Sequence, residues 1–274
     1  MLVFFLIGIG FAAAPAPPAA PAYLVAHRGV VTEAIPENSL ASLEETIRRG
    51  YTHVEVDIRR TADGRLVCLH DRGLHRIAGV KAFVDEMTYE SFREALPEER
   101  APSFEGFCEA AEGRIAIMPD VKDVAEDQAA AVAAEILRIL SAHHLLENAL
   151  FIGDGRVKDA VRGRARVAVS ADTPRATLEK LITGGCADAI FAFGHAKDFD
   201  LERVRLFQGL GIPVIVSVNL LHYLGRDAVA EGLRDVKRML ELGVDGLQID
   251  TEYEAALGRP AAAPALDNVH GAPV

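Results

Sequence analysis

Four short groups of residues in this 274-residue chain carry the side chains that could do chemistry. They are His27-Arg28-Gly29, Glu55-Val56-Asp57, His70-Asp71 and Asp120-Val121-Lys122. Each ends or follows a short apolar run, as His27 follows Leu24-Val25-Ala26 and Asp120 follows Ile115-Ala116-Ile117-Met118. The ends of parallel strands are where an α/β barrel gathers its reacting groups. Carboxylates that can hold a hard cation, with two imidazoles to move protons, are the parts needed to hydrolyse a phosphodiester.

Glu55 and Asp57 are two apart on a strand, so their side chains leave one face while Val54, Val56 and Ile58 leave the other. Two like charges side by side repel, and a divalent cation removes that cost. A site of acids without cysteine indicates Mg²⁺ or Ca²⁺ rather than zinc, with Asp120 as the third acid. His27 and His70, each beside an acid-bearing strand, form a candidate acid and base pair. Arg28 offers a planar fork of donors for phosphate, and Lys122 adds a second cation. The plainer readings are solvated acids on a strand edge, a hydrogen-bonded structural histidine and a surface ion pair. Asp71 is expected to orient a histidine or the loop backbone, and Asp63-Gly64 to form a turn. His53, His75, His143, His144, His195, His222 and His270 have no matching partners in the sequence and read as solvated or structural.

Strand and helix patterns alternate along the chain, the signature of a parallel α/β sheet or barrel. Strands are expected at about 23–27, 53–59, 66–70, 115–120, 148–153, 166–170, 213–219 and 246–250, eight in all, which suits a closed TIM-type (β/α)8 barrel. A ninth candidate, 189–193, reads as a short strand or loop piece. Strands two and three are joined by Arg60-Thr61-Ala62-Asp63-Gly64-Arg65 alone, too short for a crossover helix, so the barrel is irregular there. Helices are predicted at 40–49, capped by Asn38 or Ser39 and ended by Gly50, and at 124–142, 173–183 and 226–242, the last stopping at Gly243. The stretch 71–104 is longer than a βα loop requires and is expected to cover the barrel mouth.

A chain that is 50% apolar and 25% charged can bury one sizeable core. Its net charge of −11 argues against nucleic acid as a partner, and the expected partner is a small-molecule phosphodiester substrate. An acidic protein acting on an anionic diester must concentrate positive charge locally, as a cation with Arg28 and Lys122 would. Residues 1–22 read as a secretory leader: an apolar run, then alternating prolines and alanines, with Ala20-Pro21-Ala22 as a small-residue cleavage site. No Lys or Arg precedes the run, so an uncleaved anchor or a misassigned start is the alternative. The expected division is leader 1–22, barrel 23–258 and an Ala/Pro-rich tail 259–274, in a periplasmic or secreted protein with no membrane span once the leader is removed. Cys68, Cys108 and Cys186 show no zinc spacing, and no disulfide is expected.

The groups above, together with Pro36-Glu37-Asn38-Ser39 and Asp63-Gly64, resemble the glycerophosphodiester phosphodiesterase family, and more weakly so through Ala101-Pro102-Ser103-Phe104-Glu105, Val218-Asn219 and Val244-Asp245-Gly246. The resemblance implies a TIM-type barrel that hydrolyses glycerophosphodiesters to glycerol 3-phosphate and an alcohol. It places His27 and His70 on the family's acid/base histidines, Glu55 and Asp57 on its metal ligands, Arg28 near the phosphate and Lys122 on the active-site lysine. The third metal ligand, usually Glu in a Glu-x-Lys strand, is Asp120 here, one methylene shorter. The tryptophan common before Val218-Asn219 is replaced by Ser217, and Leu247-Gln248-Ile249-Asp250-Thr251 stands in place of the usual Thr-Asp and proline turn. Two other readings remain: a phospholipase D-like or sphingomyelinase D-like enzyme that forms a cyclic phosphate, and a binding barrel without catalysis.

Overall fold

The computed structural model describes residues 21–184 and 189–258 in full, with the backbone of 185–186. All but the end of the expected leader, the expected tail 259–274 and the Cys186 side chain lie outside the described residues. The strands are β1 (Tyr23–Ala26), β2 (His53–Arg60), β3 (Leu66–Cys68), β4 (Ala116–Val121), β5 (Leu150–Gly153), β6 (Arg166–Ser170), β7 (Ile190–His195), β8 (Val214–Val218) and β9 (Gly246–Ile249). β1 pairs in parallel with both β2 and β9, which closes a barrel of eight parallel strands in the order β1-β2-β4-β5-β6-β7-β8-β9.

The eight strands are not the eight expected from the sequence. Residues 190–195 form a full barrel strand, paired in parallel with β6 and β8. β3, counted among the barrel strands on sequence, is instead the second arm of a hairpin, antiparallel to β2 and outside the closed ring. The five-residue turn 61–65 explains this, since a chain that reverses so quickly can only pair antiparallel. His70 therefore reaches the mouth from a returning hairpin arm, not from the end of a parallel strand.

The helices that pack around the ring are α1 (Leu40–Arg48), α4 (Phe104–Ala111), α5 (Ala129–Ala142), α6 (Gly155–Val161), α7 (Arg175–Leu181), α8 (Leu201–Gly209) and α9 (Ala228–Leu242), with α2 (His75–Ala78) and α3 (Tyr89–Ala95) in the segment after β3. Ser39, not Asn38, caps α1 by accepting a hydrogen bond from Ser42 N at 3.0 Å. α5 starts later than expected, because Asp123 is left-handed (φ 35°) and Ala125 is extended. α7 likewise begins only after Pro174, which is extended, and ends in a wider turn at Ile182–Cys186. α9 is capped by Asp227 and stops at left-handed Gly243, as its sequence implied.

Alternation along the strands produces two cores. Val54, Val56 and Ile58 face outward into the layer shared with the helices. Val25, Met118, Leu150, Ile152, Ala168, Phe191 and Ile215 fill the barrel interior. Residues 71–104 do not form a bare flap: Leu74, Val84, Phe92, Leu96 and Ala101 pack with Val67 and Leu69 into a small core of their own. Arg76 from this unit reaches the rim by ion pairs to Glu37 and Asp71. Cys68 and Cys108 are buried free thiols. Among the described residues no helix is long and apolar enough to cross a membrane.

The last described turn, after β9, is tied back to the end of α1 by Glu254, which is 1% exposed. It accepts hydrogen bonds from Arg49 (2.5 Å) at the end of α1 and from the Tyr51 hydroxyl (2.7 Å). Removing one member of a buried, hydrogen-bonded charge pair costs about 3–5 kcal/mol. Glu254→Ala should accordingly lower the unfolding free energy by about that amount in urea titration, with the far-ultraviolet spectrum unchanged at zero denaturant.

Candidate active site

Strand register sets the site. Ala26 pairs with Val54 on one side and Ile249 on the other, so His27 stands level with Glu55 and Asp250. Asp57 pairs directly with Asp120 across β2 and β4. Glu55, Asp57 and Asp120 thus point into the barrel mouth, and carboxylate oxygens of all three lie within 4.8 Å of one another. Gly153 makes room for Asp120: it is left-handed (φ 87°), and a Cβ there would fall on Asp120 Oδ1 and the Val121 backbone.

Glu55 and Asp57 are buried and Asp120 half-buried, and their charges are only partly compensated. Lys122 Nζ bridges Asp57 Oδ1 (2.8 Å) and Asp120 Oδ2 (2.5 Å). Arg28 donates its backbone N–H to Glu55 Oε2 (2.6 Å), pairs with Glu37 Oε2 (2.9 Å), and lies 3.4 Å from Asp57 Oδ2. That backbone contact requires a left-handed Arg28 (φ 56°), a conformation costly for a residue with a Cβ and one that recurs at functional sites. Asn38, also left-handed (φ 54°), donates to Asp57 Oδ2 (2.7 Å) and accepts from Asp57 N (2.9 Å). The Pro36-Glu37-Asn38-Ser39 segment therefore braces Arg28, steadies Asp57 and caps α1 within three consecutive residues.

These surroundings split the two β2 acids. Burial works against ionisation of Asp57, but Arg28 and Lys122 hold its carboxyl well below the usual range. Burial, reinforced by the neighbouring Asp57, pushes Glu55 up to about 8. Asp120 is also raised, burial outweighing the attraction of Lys122. Glu55 Oε1 is buried without a hydrogen-bond partner. A buried, unpartnered carboxylate oxygen facing two further acids is a donor set that could hold a hard divalent cation.

Two histidines flank this cluster, each held by an acid. His27 Nδ1 lies 2.6 Å from Asp250 Oδ1, and the other Asp250 oxygen accepts from Leu220 N at 2.6 Å. Burial opposes charge on His27, yet Asp250 beside it raises its pKa overall. Burial likewise opposes ionisation of Asp250, but His27 and the Leu220 N–H hold its carboxyl below the usual range. His70 Nδ1 lies 2.8 Å from Asp71 Oδ1, so the pairing expected of Asp71 is present. His70 itself sits close enough to Asp57 to help hold that carboxyl down.

All seven candidate residues from the sequence, His27, Arg28, Glu55, Asp57, His70, Asp120 and Lys122, converge on this mouth. Asp250 was given no role on sequence, although the strand-end pattern that singled out His27 also applies to it. Glu37 and Asn38 stand in the segment that carries the resemblance, but no site role was legible for them, since Arg28 and Asp57 are brought to them only by the fold. Several histidines read as partnerless have partners. His195 at the end of β7 and His222 in the turn after β8 stack at 3.8 Å. His53 sits on the barrel floor against Tyr23 and Thr52, and burial lowers its pKa to about 4. His143 pairs with Glu112 at 3.2 Å, and His270 lies outside the described residues.

A closed parallel barrel with acids, histidines and cationic side chains gathered at its strand ends is the frame of a phosphodiester hydrolase. A model of the Glycerophosphoryl diester phosphodiesterase family matches residues 27–140. Probable glycerophosphodiester phosphodiesterase 2 of Mycobacterium tuberculosis is 28% identical over 240 residues, spanning 82% of this chain and 86% of that protein. Glycerophosphodiester phosphodiesterase 1 of Homo sapiens is 32% identical over 110 residues, 36% of this chain and 33% of that protein. Among solved structures, a glycerophosphoryl diester phosphodiesterase from Parabacteroides distasonis superposes with a TM-score of 0.69 at 20% identity, covering 90% of each chain. An Oleispira antarctica phosphodiesterase, solved with the product sn-glycerol-3-phosphate, superposes with a TM-score of 0.66 at 19% identity, covering 86% of this chain and 97% of its own. Residues 27–140 thus match the glycerophosphodiester phosphodiesterase family, and the similarity to a glycerophosphodiester phosphodiesterase, a hydrolase, extends over most of the chain.

Because Glu55 takes up a proton below about 8, a cation entering this cluster must displace it. Apparent affinity for Mg²⁺ or Ca²⁺ should therefore rise by about tenfold per pH unit below that value and level off above it. Calorimetry at pH 6 in buffers of differing ionisation enthalpy should register release of about one proton, and Glu55→Gln should abolish it.

Proposed function

We propose that this chain is a metal-dependent hydrolase that splits glycerophosphodiesters into glycerol 3-phosphate and an alcohol. The observation that carries the reading is the juxtaposition of two acid-held histidines, His27–Asp250 and His70–Asp71, across the buried Glu55, Asp57 and Asp120 cluster. Glu55, Asp57 and Asp120 would hold the cation, Mg²⁺ or Ca²⁺, whose positive charge would favour the anionic phosphorane-like transition state.

The chain's own groups account for the remaining steps. Arg28 and Lys122 offer the phosphate donors from two sides, each kept charged by the acids beside it despite burial. His70 removes a proton from the attacking water as its oxygen bonds to phosphorus. His27, whose raised pKa favours the imidazolium, donates a proton to the alcohol oxygen as the phosphorus–oxygen bond breaks. Asp250 holds the His27 proton-bearing Nδ1, which leaves Nε2 for the leaving group. The two histidines finish with their protonation reversed and exchange protons with solvent before the next cycle. The glycerol 3-phosphate seen as product in the Oleispira protein of the same fold supports this choice of product over a cyclic phosphate. The apolar leader in residues 1–22 supports a periplasmic or secreted setting.

Release of glycerol 3-phosphate from glycerophosphocholine should require added Mg²⁺ or Ca²⁺ and stop with chelator, and ³¹P spectra should contain no cyclic phosphate at early times. His27→Ala and His70→Ala should each lower kcat by about 10²–10⁴ while melting like the parent; turnover near the parent rate in either would refute the assignment. Asp250→Asn should lower kcat with little change in KM and shift the descending limb of the kcat–pH profile downward, since His27 loses the charge that raises its pKa.

A further inference from the structure

The outer side of Lys122 opens into a second space. A cleft of about 270 Å³ lies between the β2–β3 hairpin and the loop that follows β4, with Lys122 as the wall it shares with the acidic cluster. Its charged lining consists of Arg59, Arg60, Arg72 and Lys122 against Asp85 and Asp123. Four cations and two carboxylates line it, on a chain whose net charge is −11.

The four cations are not equally occupied. Lys122 is shared by Asp57 and Asp120, and Arg72 pairs with Asp85 (2.9 Å) and Glu86 (2.8 Å). Arg59 donates to the His70 carbonyl (2.7 Å) and pairs with Asp123 (3.1 Å), which ties the cleft wall to a candidate catalytic histidine. Arg60 has no carboxylate within ion-pair distance among the described residues. Its one neutral acceptor there is Gln128 Oε1, at 3.4 Å. Arg60 is half-buried and lies along left-handed Gly64, where a Cβ would come within 3.2 Å of its guanidinium. The hairpin turn thus leaves space for the fork to lie in the cleft.

We infer that this cleft is a subsite for a second anionic group, carried on the alcohol part of the diester and received by Arg60. The inference rests on the hydrolase reading above and narrows it to a substrate class. Glycerol offers only neutral hydroxyls, so an unpaired guanidinium would gain little from it. A carboxylate or phosphate on the alcohol would complete a bidentate, charge-assisted pair. A volume of about 270 Å³ matches a compact polar headgroup and is small for a long acyl chain.

The test uses the full chain with Ca²⁺ or Mg²⁺ and a matched pair of diesters, glycerophosphoserine and glycerophosphoethanolamine, which differ by one carboxylate. A second pair, glycerophosphoinositol with and without a ring phosphate, separates carboxylate from phosphate recognition. The charged member of at least one pair should have a kcat/KM about tenfold higher than its partner. Arg60→Gln should bring that ratio close to one, and Arg60→Lys should restore part of it. Calorimetric binding of the same diesters to His70→Ala should show the same ratio in Kd. No preference within either pair, or a ratio unaltered by Arg60→Gln, would overturn the subsite. Failure of the parent to hydrolyse any diester, with Arg60-dependent binding intact in His70→Ala, would overturn the hydrolase reading and leave the subsite standing.

Discussion

Three carboxylates held close together in a desolvated barrel mouth are the constraint around which the rest of this structure is arranged. Glu55, Asp57 and Asp120 would repel one another strongly in a low-dielectric site, and the fold answers with neighbours on every side. Lys122 spans two of them, Arg28 addresses two, and Asn38 donates to one. Yet the compensation stops short of neutrality. Glu55 keeps one oxygen without a partner, and its carboxyl is pushed up to about 8. A site that retains unmet negative charge favours a cation, and the same residual charge keeps Arg28 and Lys122 protonated for an anionic ligand.

That arrangement depends on closure of the barrel. β1 touches both β2 and β9, so one residue past Ala26 brings His27 level with Glu55 on one side and Asp250 on the other. An open sheet of the same strands would leave β1 and β9 apart and His27 without its acid. The buried Glu254 link to Arg49 and Tyr51 reinforces the same seam from the outside. The two histidines are held by different means: His27 by long-range strand pairing, His70 by its immediate neighbour Asp71 on a returning hairpin arm. The hairpin also carries Arg59 and Arg60, so the one break in the strand–helix repeat builds the wall of the cleft beside Lys122.

Much of this was legible from residue types and spacing. The period of two put Glu55 and Asp57 on one face and Val54, Val56 and Ile58 on the other, because strand side chains alternate regardless of what surrounds them. Helix ends were readable where a local capping side chain or a left-handed glycine decides them, as at Ser39 and Gly243. The short turn at 60–65 announced the irregularity after β2, since its length alone forbids a parallel crossover.

The tertiary structure decided what local patterns leave degenerate. Residues 66–68 and 190–195 are both short apolar runs, and only pairing partners reveal that the second completes the barrel and the first does not. Helix α5 was shortened by backbone breaks at Asp123 and Ala125 that its alanine-rich composition does not announce. Asp250 with His27, Asn38 with Asp57 and His195 with His222 are contacts between residues far apart in the chain, created by ring closure and register. By itself, then, the sequence determined which side chains leave which face and where strands and helices can form, because those depend on backbone geometry over a few residues. Which of those side chains share one desolvated mouth, and at what charge, was decided only when the ring closed.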